Sequence, residues 1–356
     1  MLILGIETSC DETAAAVVRD GHEVRSSVVY TQIAHHRPYG GVVPEIASRM
    51  HVEHLPSVIE RAMSEAGAAW PELDAIAVTY GPGLASSLLV GLAAAKGLAL
   101  RLDKPLIGIN HLEAHLYSIF LDPPPSPDRP PAPCPIRPSD TFLALIVSGG
   151  HTCFVRVAGL GRYRLLGRTL DDAAGEAFDK GANLLHLGYP GGPAIDNAAR
   201  NGDPQSVRFP RGFVKKPQAR FAHLNPKCCV SYSGLKTALL YHLKSHPLTG
   251  ASDPAVADLA ATYQEAIVDT LVSRASHAIE GISTLAVVGG VSLNRRLREK
   301  MAAWAAKKRI QLVLAAPRYG ADNAAMVAGL AAHKRTDDPP PAATLALDAE
   351  PNLAIG

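Results

Sequence analysis

The chain of 356 residues is 47% hydrophobic and 19% charged, a globular balance at a length that suits two domains of ordinary size. Its formal net charge of +2 excludes a strongly basic nucleic-acid coat, but it leaves room for a local basic cluster. Five cysteines without a C-x-x-C pair or even spacing indicate free thiols in a reducing compartment. No signal peptide is expected, so we predict a cytoplasmic protein.

The first half of the chain is predicted to follow the order βββαβαβα. Asp20-Gly21 is a strong hairpin-turn signal between two strands, and Pro44 suits the first turn of a helix. The stretch 84–100 is apolar, but Lys96 and its many glycines and alanines favour a buried core helix over a membrane span. The predicted elements are strands 2–6, 13–18 and 22–30, helix 44–66, strand 75–79, helix 85–100, strand 106–109 and helix 111–121.

The second half restates this plan with additional helices. Its predicted elements are strands 142–147, 151–157 and 162–169, helices 173–186, 233–244 and 254–282, strand 284–288, helix 293–304, strand 311–314 and helix 322–333. The alternation predicts an α/β fold of two βββαβαβα lobes, each with a mixed sheet covered on both faces, and a central cleft. A plain Rossmann fold fits less well, because each half opens with a hairpin rather than a G-x-G-x-x-G crossover.

Two proline-rich stretches divide the chain. The first, 122–140, can form neither a helix nor an inner strand and is expected to be an exposed connector. The predicted domains are an N-terminal lobe at 1–121, the connector at 122–140, a C-terminal lobe at 141–335 and a flexible tail at 336–356. The last helix of the C-terminal lobe is expected to pack back on the first lobe.

His111 and His115 lie four residues apart at the start of a predicted helix that follows a buried strand. This spacing places them about 40° apart on one helix face, so both imidazoles can reach one metal ion. Among 14 histidines such a pair also arises by chance, and His51 and His54 form a rival pair. Asp322, at the start of the last predicted helix, is the natural third ligand. Two histidines and one aspartate suit iron(II), with zinc as the second choice.

Glu113, between the two histidines, raises the alternative of a metalloprotease. The pattern is H-x-E-x-H, however, and not the H-E-x-x-H of those enzymes. Glu113 lies about 200° round the helix from His111, so it cannot act as the base beside a metal held there. We therefore reject the protease interpretation.

Glycine-rich turns are predicted at four strand ends: Gly81-Pro82-Gly83, Ser148-Gly149-Gly150, Gly191-Gly192 and Gly289-Gly290. A single such turn is more often only a tight turn, but four in mirrored halves favour a nucleotide site in which backbone N–H groups hold a phosphate. Asp179 and Asp196, near the third turn, are either ribose ligands or solvated helix carboxylates. Asp11 and Glu12, in the first hairpin turn, are candidates for a base or an orienting group if that turn faces the cleft.

The segment 208–221 (RFPRGFVKKPQARF) interleaves basic residues with phenylalanines. This mixture suits looped RNA, in which phosphates and unstacked bases are both recognised. A basic surface loop with phenylalanines anchored in the core explains the same residues. The arginines within 295–298 form a rival basic cluster.

Ten motifs together resemble the bacterial TsaD family over nearly all of residues 3–330. The motifs of the first lobe are GIETSCDET (5–13), GGVVPEIASRMH (40–51), GPGLASSLLVG (81–91) and NHLEAH (110–115). Those of the second lobe are LIVSGGHT (145–152), DDAAGEAFDK (171–180), YPGGP (189–193), SYSGLKTA (231–238), GGVSLNRRLR (289–298) and ADNAAM (321–326). The family is related to Kae-type subunits, and the resemblance implies the duplicated actin-like (ASKHA) fold.

The resemblance also implies an activity, that of an acyltransferase. Such an enzyme transfers a threonylcarbamoyl group from threonylcarbamoyl-AMP to N6 of the adenosine at position 37 of tRNAs that read codons beginning with A, and AMP is released. The implied partners are a TsaB-like paralogue and a TsaE-like ATPase, with no membrane. The alternative is an ASKHA nucleotide-binding scaffold of the same complex, which needs no metal ligands. A sugar or acyl kinase fits less well, because no catalytic aspartate is paired with a sugar motif.

The site residues implied by the resemblance fall into three groups. The metal ligands are His111, His115 and Asp322. The substrate contacts are Val147, Ser148, Gly149, Gly150, His151, Asp179, Gly192, Asp196 and Asn294, and the suspected catalytic acids are Asp11 and Glu12. We expect tRNA to contact Arg211, Lys215, Lys216 and Arg220. Two departures from the family, Ala321 at a frequent threonine and the long connector, remove no chemical group.

Overall fold

The computed structural model describes residues 1–122, 134–214, 219–334 and 346–355. Ten strands and eleven α-helices lie within these ranges. They are β1 (Leu2–Glu7), β2 (Glu12–Arg19), β3 (Glu23–Thr31), α1 (Ile33–His36), α2 (Pro44–Ala66), β4 (Ala75–Gly81), α3 (Ala85–Leu102), β5 (Leu106–Asn110), α4 (His111–Tyr117), β6 (Thr141–Val147), β7 (Thr152–Ala158), β8 (Tyr163–Arg168), α5 (Ala174–Leu184), α6 (Gly191–Ala198), α7 (Ser233–Ser245), α8 (Ala255–Ala278), β9 (Thr284–Val288), α9 (Arg295–Lys308), β10 (Gln311–Leu314), α10 (Pro317–Gly320) and α11 (Ala324–Lys334).

The chain divides into two compact units. Unit 1 comprises Met1–Arg137 and Ala315–Ile355, and unit 2 comprises Pro138–Leu314. The second lobe therefore ends at residue 314 and not at 335, because α10 and α11 belong to unit 1. There α11 packs on β1, and Gly5 permits the contact, since a Cβ at this position would lie 2.5 Å from the carbonyl oxygen of Ala324.

Unit 1 is built on a five-stranded sheet in the order β3-β2-β1-β4-β5. The hairpin strands β1, β2 and β3 are antiparallel, whereas β4 and β5 run parallel to β1. All six residues of β1 are buried, as expected for a central strand covered on both faces. Helices α2 and α3 close one core over the sheet through Leu55, Ile59 and Leu92.

Unit 2 repeats this arrangement with the sheet order β10-β9-β6-β7-β8. Its central strand β6 pairs antiparallel with β7 and parallel with β9, as β1 does with β2 and β4. Helices α5 and α8 supply much of its core, with Phe178, Tyr263 and Ile267 fully or almost fully buried. The predicted duplicated α/β fold is confirmed.

One helix of unit 2 departs from the prediction. Gly191 and Gly192 do not lie at a strand end; they open α6, which follows α5 along the chain. Glycine and proline at 191–193 weaken the helical signal of the sequence, although a helix tolerates proline in its first turn. The sequence therefore predicts a turn where the structure has a short helix.

Helix α3 and the segment 346–355 both pack on the core of unit 1 through apolar side chains. Helix α3 is long and apolar enough to cross a membrane by length and composition alone, but one face of it packs on β4 and α2, as predicted for a core helix. The segment 346–355 also packs on this core through Leu347 and Ala349. The prediction of a flexible tail is wrong for these ten residues, and 336–345 lie outside the described residues.

Candidate active site

A short helix at the end of β5 positions two histidines in unit 1. Asn110 is the N-cap of α4, and its side-chain oxygen accepts hydrogen bonds from the backbone N–H groups of Leu112 and Glu113 at 2.9 and 3.3 Å. These bonds satisfy donors that a helix start leaves unpaired. His111 and His115 are the first and fifth residues of the helix, and both side chains are buried.

The structure brings both histidines to Asp322, which lies in the turn before α11. The Nε2 atom of His115 is 3.0 Å from Asp322 Oδ1, and that of His111 is 3.8 Å away. One ligand atom from each of the three residues lies within 4.8 Å of the others. Asn323 holds the turn by donating to the carbonyl of Ala321 at 2.8 Å and accepting from the N–H of Met326 at 3.1 Å.

The chemistry of this donor set fits a divalent metal ion. Two imidazoles and one carboxylate are a frequent ligand set for non-haem iron and zinc. The buried Nδ1 atom of His115 has no hydrogen-bond partner among the described residues. The predicted ligands His111, His115 and Asp322 therefore lie together.

Glu7 is part of this site, and sequence reasoning missed it. Its fully buried carboxylate accepts hydrogen bonds from Thr79 Oγ1 at 2.6 Å and from the Ser9 N–H at 2.6 Å, and it lies 3.0 Å from His111 Nδ1. A carboxylate on Nδ1 fixes the imidazole with Nε2 directed to the other ligands. The only signal in the sequence was a charged residue closing an otherwise apolar strand.

The electrostatics of His111 follow from these neighbours. Burial by itself would lower the pKa of His111, but the carboxylates of Glu7 and Asp322 outweigh it and raise the pKa to about 9. Burial conversely tends to raise the pKa of Glu7, and the charge and hydrogen bond of His111 hold it below its usual value. The pocket thus favours one positive charge at His111, and a metal cation would take the place of that proton.

Asp11 and Glu12 follow Glu7 by four and five residues along the chain. Asp11 is buried in the turn after β1, and Glu12 is half-buried at the start of β2. Burial, with the nearby charges of Asp11 and Asp322, raises the pKa of Glu12 well above its usual range. A carboxyl group of this kind can accept and release a proton nearer to neutral pH than a solvated one.

The rival histidine pair does not form a metal site. His51 is buried, and both of its ring nitrogens are engaged, with Thr13 Oγ1 at 2.7 Å and the Cys10 carbonyl at 2.9 Å. His54 instead stacks on Tyr30 with ring centroids 3.8 Å apart. Glu113 forms an ion pair with Lys334 at 2.9 Å, so its carboxylate is directed to α11, which agrees with the rejection of a protease.

In unit 2, the turn after β6 offers backbone donors rather than charged side chains. The N–H groups of Gly149 and Gly150 have no acceptor among the described residues, and a Cβ at either glycine would meet nothing within 4 Å. The N–H of Ser148 donates a hydrogen bond to the His151 carbonyl at 2.8 Å. The side chain of Val147 is buried in the core.

The start of α6 forms a second group of donors in unit 2. Asp179 accepts the N–H of Gly191 at 2.7 Å, so this carboxylate already holds the helix start. The N–H of Gly192 lies in the first helical turn, and a Cβ at this glycine would again meet nothing within 4 Å. Asp196 lies one turn further along the helix, and one of its oxygens is buried without a hydrogen bond among the described residues.

Asn294 has a structural role in unit 2. Its Oδ1 caps α9 by accepting the Leu297 N–H at 2.9 Å, and its Nδ2 donates to Gln264 Oε1 at 2.7 Å. The residue is almost fully buried. Any contact with a substrate would therefore compete with two existing hydrogen bonds.

The basic segment 208–221 is only partly described. Arg211 donates to Asp269 Oδ2 through Nε at 3.1 Å and Nη2 at 2.6 Å, so its charge is already paired. Phe209 is buried, whereas Phe213 is 51% exposed and lies under the Arg274 guanidinium, 4.6 Å from the ring centroid. Lys215, Lys216 and the side chain of Arg220 lie outside the described residues.

The rival arginine cluster is engaged within unit 2. Arg295 pairs with Glu299 at 3.0 Å, and Arg296 pairs with Glu265 at 2.8 Å. The third arginine, Arg298, donates to the Ser292 carbonyl at 2.7 Å. These contacts leave less positive charge for a polyanion than the sequence indicates.

Comparison with known proteins decides the family. The sequence profile of TsaD, described as tRNA N6-adenosine threonylcarbamoyltransferase, matches residues 23–329. A protein of this description from Anaeromyxobacter dehalogenans (strain 2CP-C) is 51% identical over 334 residues, which are 93% of each chain. One from Geobacter sp. (strain M21) is 49% identical over 330 residues, 92% of this chain and 90% of the other. The chain belongs to the TsaD family.

This membership makes the chain a transferase of tRNA modification, an acyltransferase by the reaction that its relatives' description states. The fold has a counterpart among solved structures outside the TsaD family. The Acidaminococcus fermentans (R)-2-hydroxyglutaryl-CoA dehydratase component A matches with a TM-score of 0.54 at 13% identity, covering 95% of this chain and all of that one. At this identity the likeness concerns the duplicated actin-like (ASKHA) fold alone.

Proposed function

We propose that the protein transfers the threonylcarbamoyl group of threonylcarbamoyl-AMP to N6 of adenosine 37 in tRNAs that read codons beginning with A. The observation that carries the proposal is the intact set of His111, His115 and Asp322 in a TsaD family member. An ASKHA protein acting only as a scaffold has no need of these three ligands.

In the proposed reaction, N6 of adenosine attacks the carbonyl carbon of the threonylcarbamoyl group. The bond from this carbon to the phosphate oxygen breaks, and AMP leaves with that oxygen. N6 loses one proton, for which the carboxylates of Asp11 and Glu12 are the proposed acceptors, and the raised pKa of Glu12 supports that role. The amine is weakly basic, so positioning of the two substrates should contribute more than a strong base.

The proposed holders of the adenylate are the two donor groups of unit 2. The unpaired N–H groups of Gly149 and Gly150 can donate to a phosphate or to the oxygen on which negative charge develops. Gly192 adds an N–H at the start of α6, where the helix dipole favours an anion. We assign ribose contacts to Asp179 and Asp196, and further contacts to the backbone of Val147, to Ser148 and His151, and to Asn294.

The proposed metal ligands are His111, His115 and Asp322, with one ion per chain, iron(II) in the first place and zinc in the second. Such an ion would act as a Lewis acid and polarise an oxygen of the substrate. Glu7 keeps the imidazole of His111 oriented, and its buried hydrogen bonds to Thr79 and Ser9 keep Glu7 itself in place.

The proposed partners are tRNA, a TsaB-like paralogue and a TsaE-like ATPase, in the cytoplasm. For tRNA we propose contacts from the segment 208–221, with Lys215, Lys216 and Arg220 as the foremost residues. Arg211 is the least suited of the four predicted contacts, because Asp269 already neutralises it. Clustered lysines and arginines that displace counterions are the usual source of affinity for a polyanion.

The proposal is tested by reconstitution. The purified chain, both partners, threonylcarbamoyl-AMP and unmodified tRNA are incubated with metal, and the nucleosides of the tRNA are analysed by mass spectrometry. We expect threonylcarbamoyladenosine and an equal amount of AMP, and neither product with the His115→Ala variant. A complex that assembles and binds AMP without modifying the tRNA would identify the chain as a scaffold.

A further inference from the structure

The segment 346–355 lies beyond the residues matched by the TsaD profile, yet it belongs to unit 1 and contacts Asn110, the residue before His111. The N–H of Glu350 donates to the Tyr80 carbonyl at 2.8 Å, and the N–H of Gly83 donates to the Pro351 carbonyl at 3.2 Å. Nδ2 of Asn110 donates to the Ala354 carbonyl at 2.8 Å. Three hydrogen bonds thus tie ten residues to the ends of β4 and β5.

Two glycines of these strands leave the space that the segment fills. A Cβ at Gly81 would lie 2.1 Å from the Glu350 carbonyl oxygen, and one at Gly108 would lie 2.7 Å from Leu347 Cδ2. Gly81 tolerates no side chain while the segment is bound, because the conflicting atom belongs to the backbone, whereas at Gly108 the side chain of Leu347 would have to move. The turn Gly81-Pro82-Gly83 therefore receives the segment 346–355, and the N–H of Gly83 is not available to a phosphate.

Asn110 connects the segment to the helix that carries both histidines. Its Oδ1 caps α4 through Leu112 and Glu113, while its Nδ2 is held by Ala354. One planar amide therefore has both ends fixed. The residue is almost fully buried, so its amide has little access to water.

The length of α4 makes this connection important. The helix has seven residues, and an isolated helix of fewer than about 12–15 residues is not stable in water. Its direction must therefore come from its cap and its packing. Because His111 is its first residue, a small rotation at Asn110 would displace a ligand atom that must meet two others within a few ångströms.

We propose that the segment 346–355 acts through Asn110 as a positioning element of the metal site, which rests on the metal role proposed above. With the segment bound, the amide of Asn110 is held in one orientation, and α4 presents His111 and His115 to Asp322. Without the segment, the amide can rotate and the helix start loosens, so metal affinity falls while the fold of unit 1 is kept.

The test measures the dissociation constant for Zn²⁺ by calorimetry on the full chain, in Asn110→Ser and in a chain lacking 346–356. Serine keeps an oxygen that can cap the helix, but its single short hydroxyl replaces the Nδ2 group that reaches the Ala354 carbonyl, so it cannot both cap the helix and hold the segment. We expect each change to weaken Zn²⁺ binding about tenfold, the size typical for a partner that orients a ligand. In a chain with both changes, binding should be no weaker than after the deletion alone, because both remove the same link.

The matched control is Asn352→Ser, the same substitution at an exposed position of the same segment. It should leave Zn²⁺ affinity unchanged, and circular dichroism should show native helix content in every variant. Affinity within twofold of wild type in Asn110→Ser, or effects of the two changes that multiply, would overturn the inference. If His115→Ala binds Zn²⁺ as well as the wild type, the metal site fails, and the inference fails with it.

Discussion

The turns that follow the central strands of the two units are the most informative comparison in the molecule. Both units use one sheet order, with β1 and β6 at corresponding positions. Glu7 ends β1 and Asp11 lies in the turn after it; both acids are buried, and Glu7 lies 3.0 Å from His111, whose pKa is raised to about 9. After β6 come Gly149 and Gly150, whose only polar groups are those of the backbone.

The comparison shows how one fold supports two kinds of chemistry. Buried carboxyl and imidazole side chains suit a cation, and backbone N–H groups that have no acceptor among the described residues suit an anion. In both units the end of the central strand positions the residues of the site, and the types of those residues decide which ligand the site can bind. We therefore assign the metal to unit 1 and the adenylate to unit 2, so variants of the two units should have different effects.

Removal of a metal ligand should have the largest effect. His115→Ala and Asp322→Ala should each lose the bound metal and the transfer activity, because two remaining ligands do not hold the ion. Binding of AMP should persist, since its proposed donors lie in unit 2. Metal content by plasma mass spectrometry, beside calorimetry with AMP, checks both statements.

His54→Ala is the control for these two variants, because His54 stacks on Tyr30 and is not one of the three ligands. His51→Ala is unsuitable as a control, since His51 is buried and bound to Thr13 and Cys10. Full metal occupancy in His115→Ala would show that the metal does not bind at these three residues of unit 1.

The next effect in size concerns Glu7. Glu7→Gln keeps the shape of the side chain and removes the charge that orients His111, so metal affinity should fall about 10- to 100-fold. Zn²⁺ calorimetry measures the change. Glu113→Gln, on α4 but paired with Lys334, is the matched control and should leave the affinity within twofold of wild type.

The adenylate site of unit 2 is probed by Gly192→Ala. A Cβ at Gly192 meets no protein atom within 4 Å, so the methyl group would occupy space proposed for the ligand. We expect AMP to bind about tenfold more weakly, a loss of about 1.4 kcal/mol. Stability should not fall, because alanine favours a helix over glycine.

Gly234→Ala is matched closely to this variant. Gly234 is also the second residue of a helix, α7, and also has open space at its Cβ position. Its substitution should leave AMP affinity unchanged. Equal AMP affinity in both glycine variants would exclude the start of α6 from the adenylate site.

A smaller effect is expected for tRNA binding. The double variant Lys215→Glu and Lys216→Glu should weaken binding about fivefold and reduce the slope of log affinity against log salt by about 2. AMP binding should not change. The control of equal charge is the double variant Lys307→Glu and Lys308→Glu at the exposed end of α9. If the salt dependence of tRNA binding changed only in this control, the RNA contact would lie at α9 and not in the segment 208–221.

The smallest expected effect concerns pH. Burial lowers the pKa of His36 and His51 in unit 1, so the folded state disfavours their protonated forms. The unfolded chain takes up their protons below about pH 6.5, and stability is therefore lost as the pH falls through that value. His36→Gln should reduce the fall in Tm between pH 7 and pH 5.5 by roughly 2–4 °C. An unchanged fall would show that His36 does not contribute.

The sequence predicts those features that depend on neighbouring residues. Helix α2 has the predicted bounds because Pro44 starts it and Gly67, with a φ of 62°, ends it. The pairing of His111 with His115 follows from helical spacing alone. Both signals lie within a few residues of the feature that they predict.

Features that depend on distant contacts could not be predicted in this way. The role of Glu7 requires His111, 104 residues further along, and the packing of 346–355 requires glycines more than 200 residues earlier. Helix α6 was missed for a different reason, because glycine and proline are poor helix formers except in a first turn. The pairing of Arg211 with Asp269 is likewise a distant contact, and the sequence does not show that the positive charge of this predicted tRNA contact is already paired.

The most direct test of the division between the units is the position of the metal. Crystals of the protein loaded anaerobically with Fe²⁺ would be measured at the iron absorption edge. The account predicts one anomalous peak per chain, bounded by Nε2 of His111, Nε2 of His115 and the carboxylate of Asp322. A peak elsewhere, or iron-containing crystals without a peak between these three residues, would contradict it.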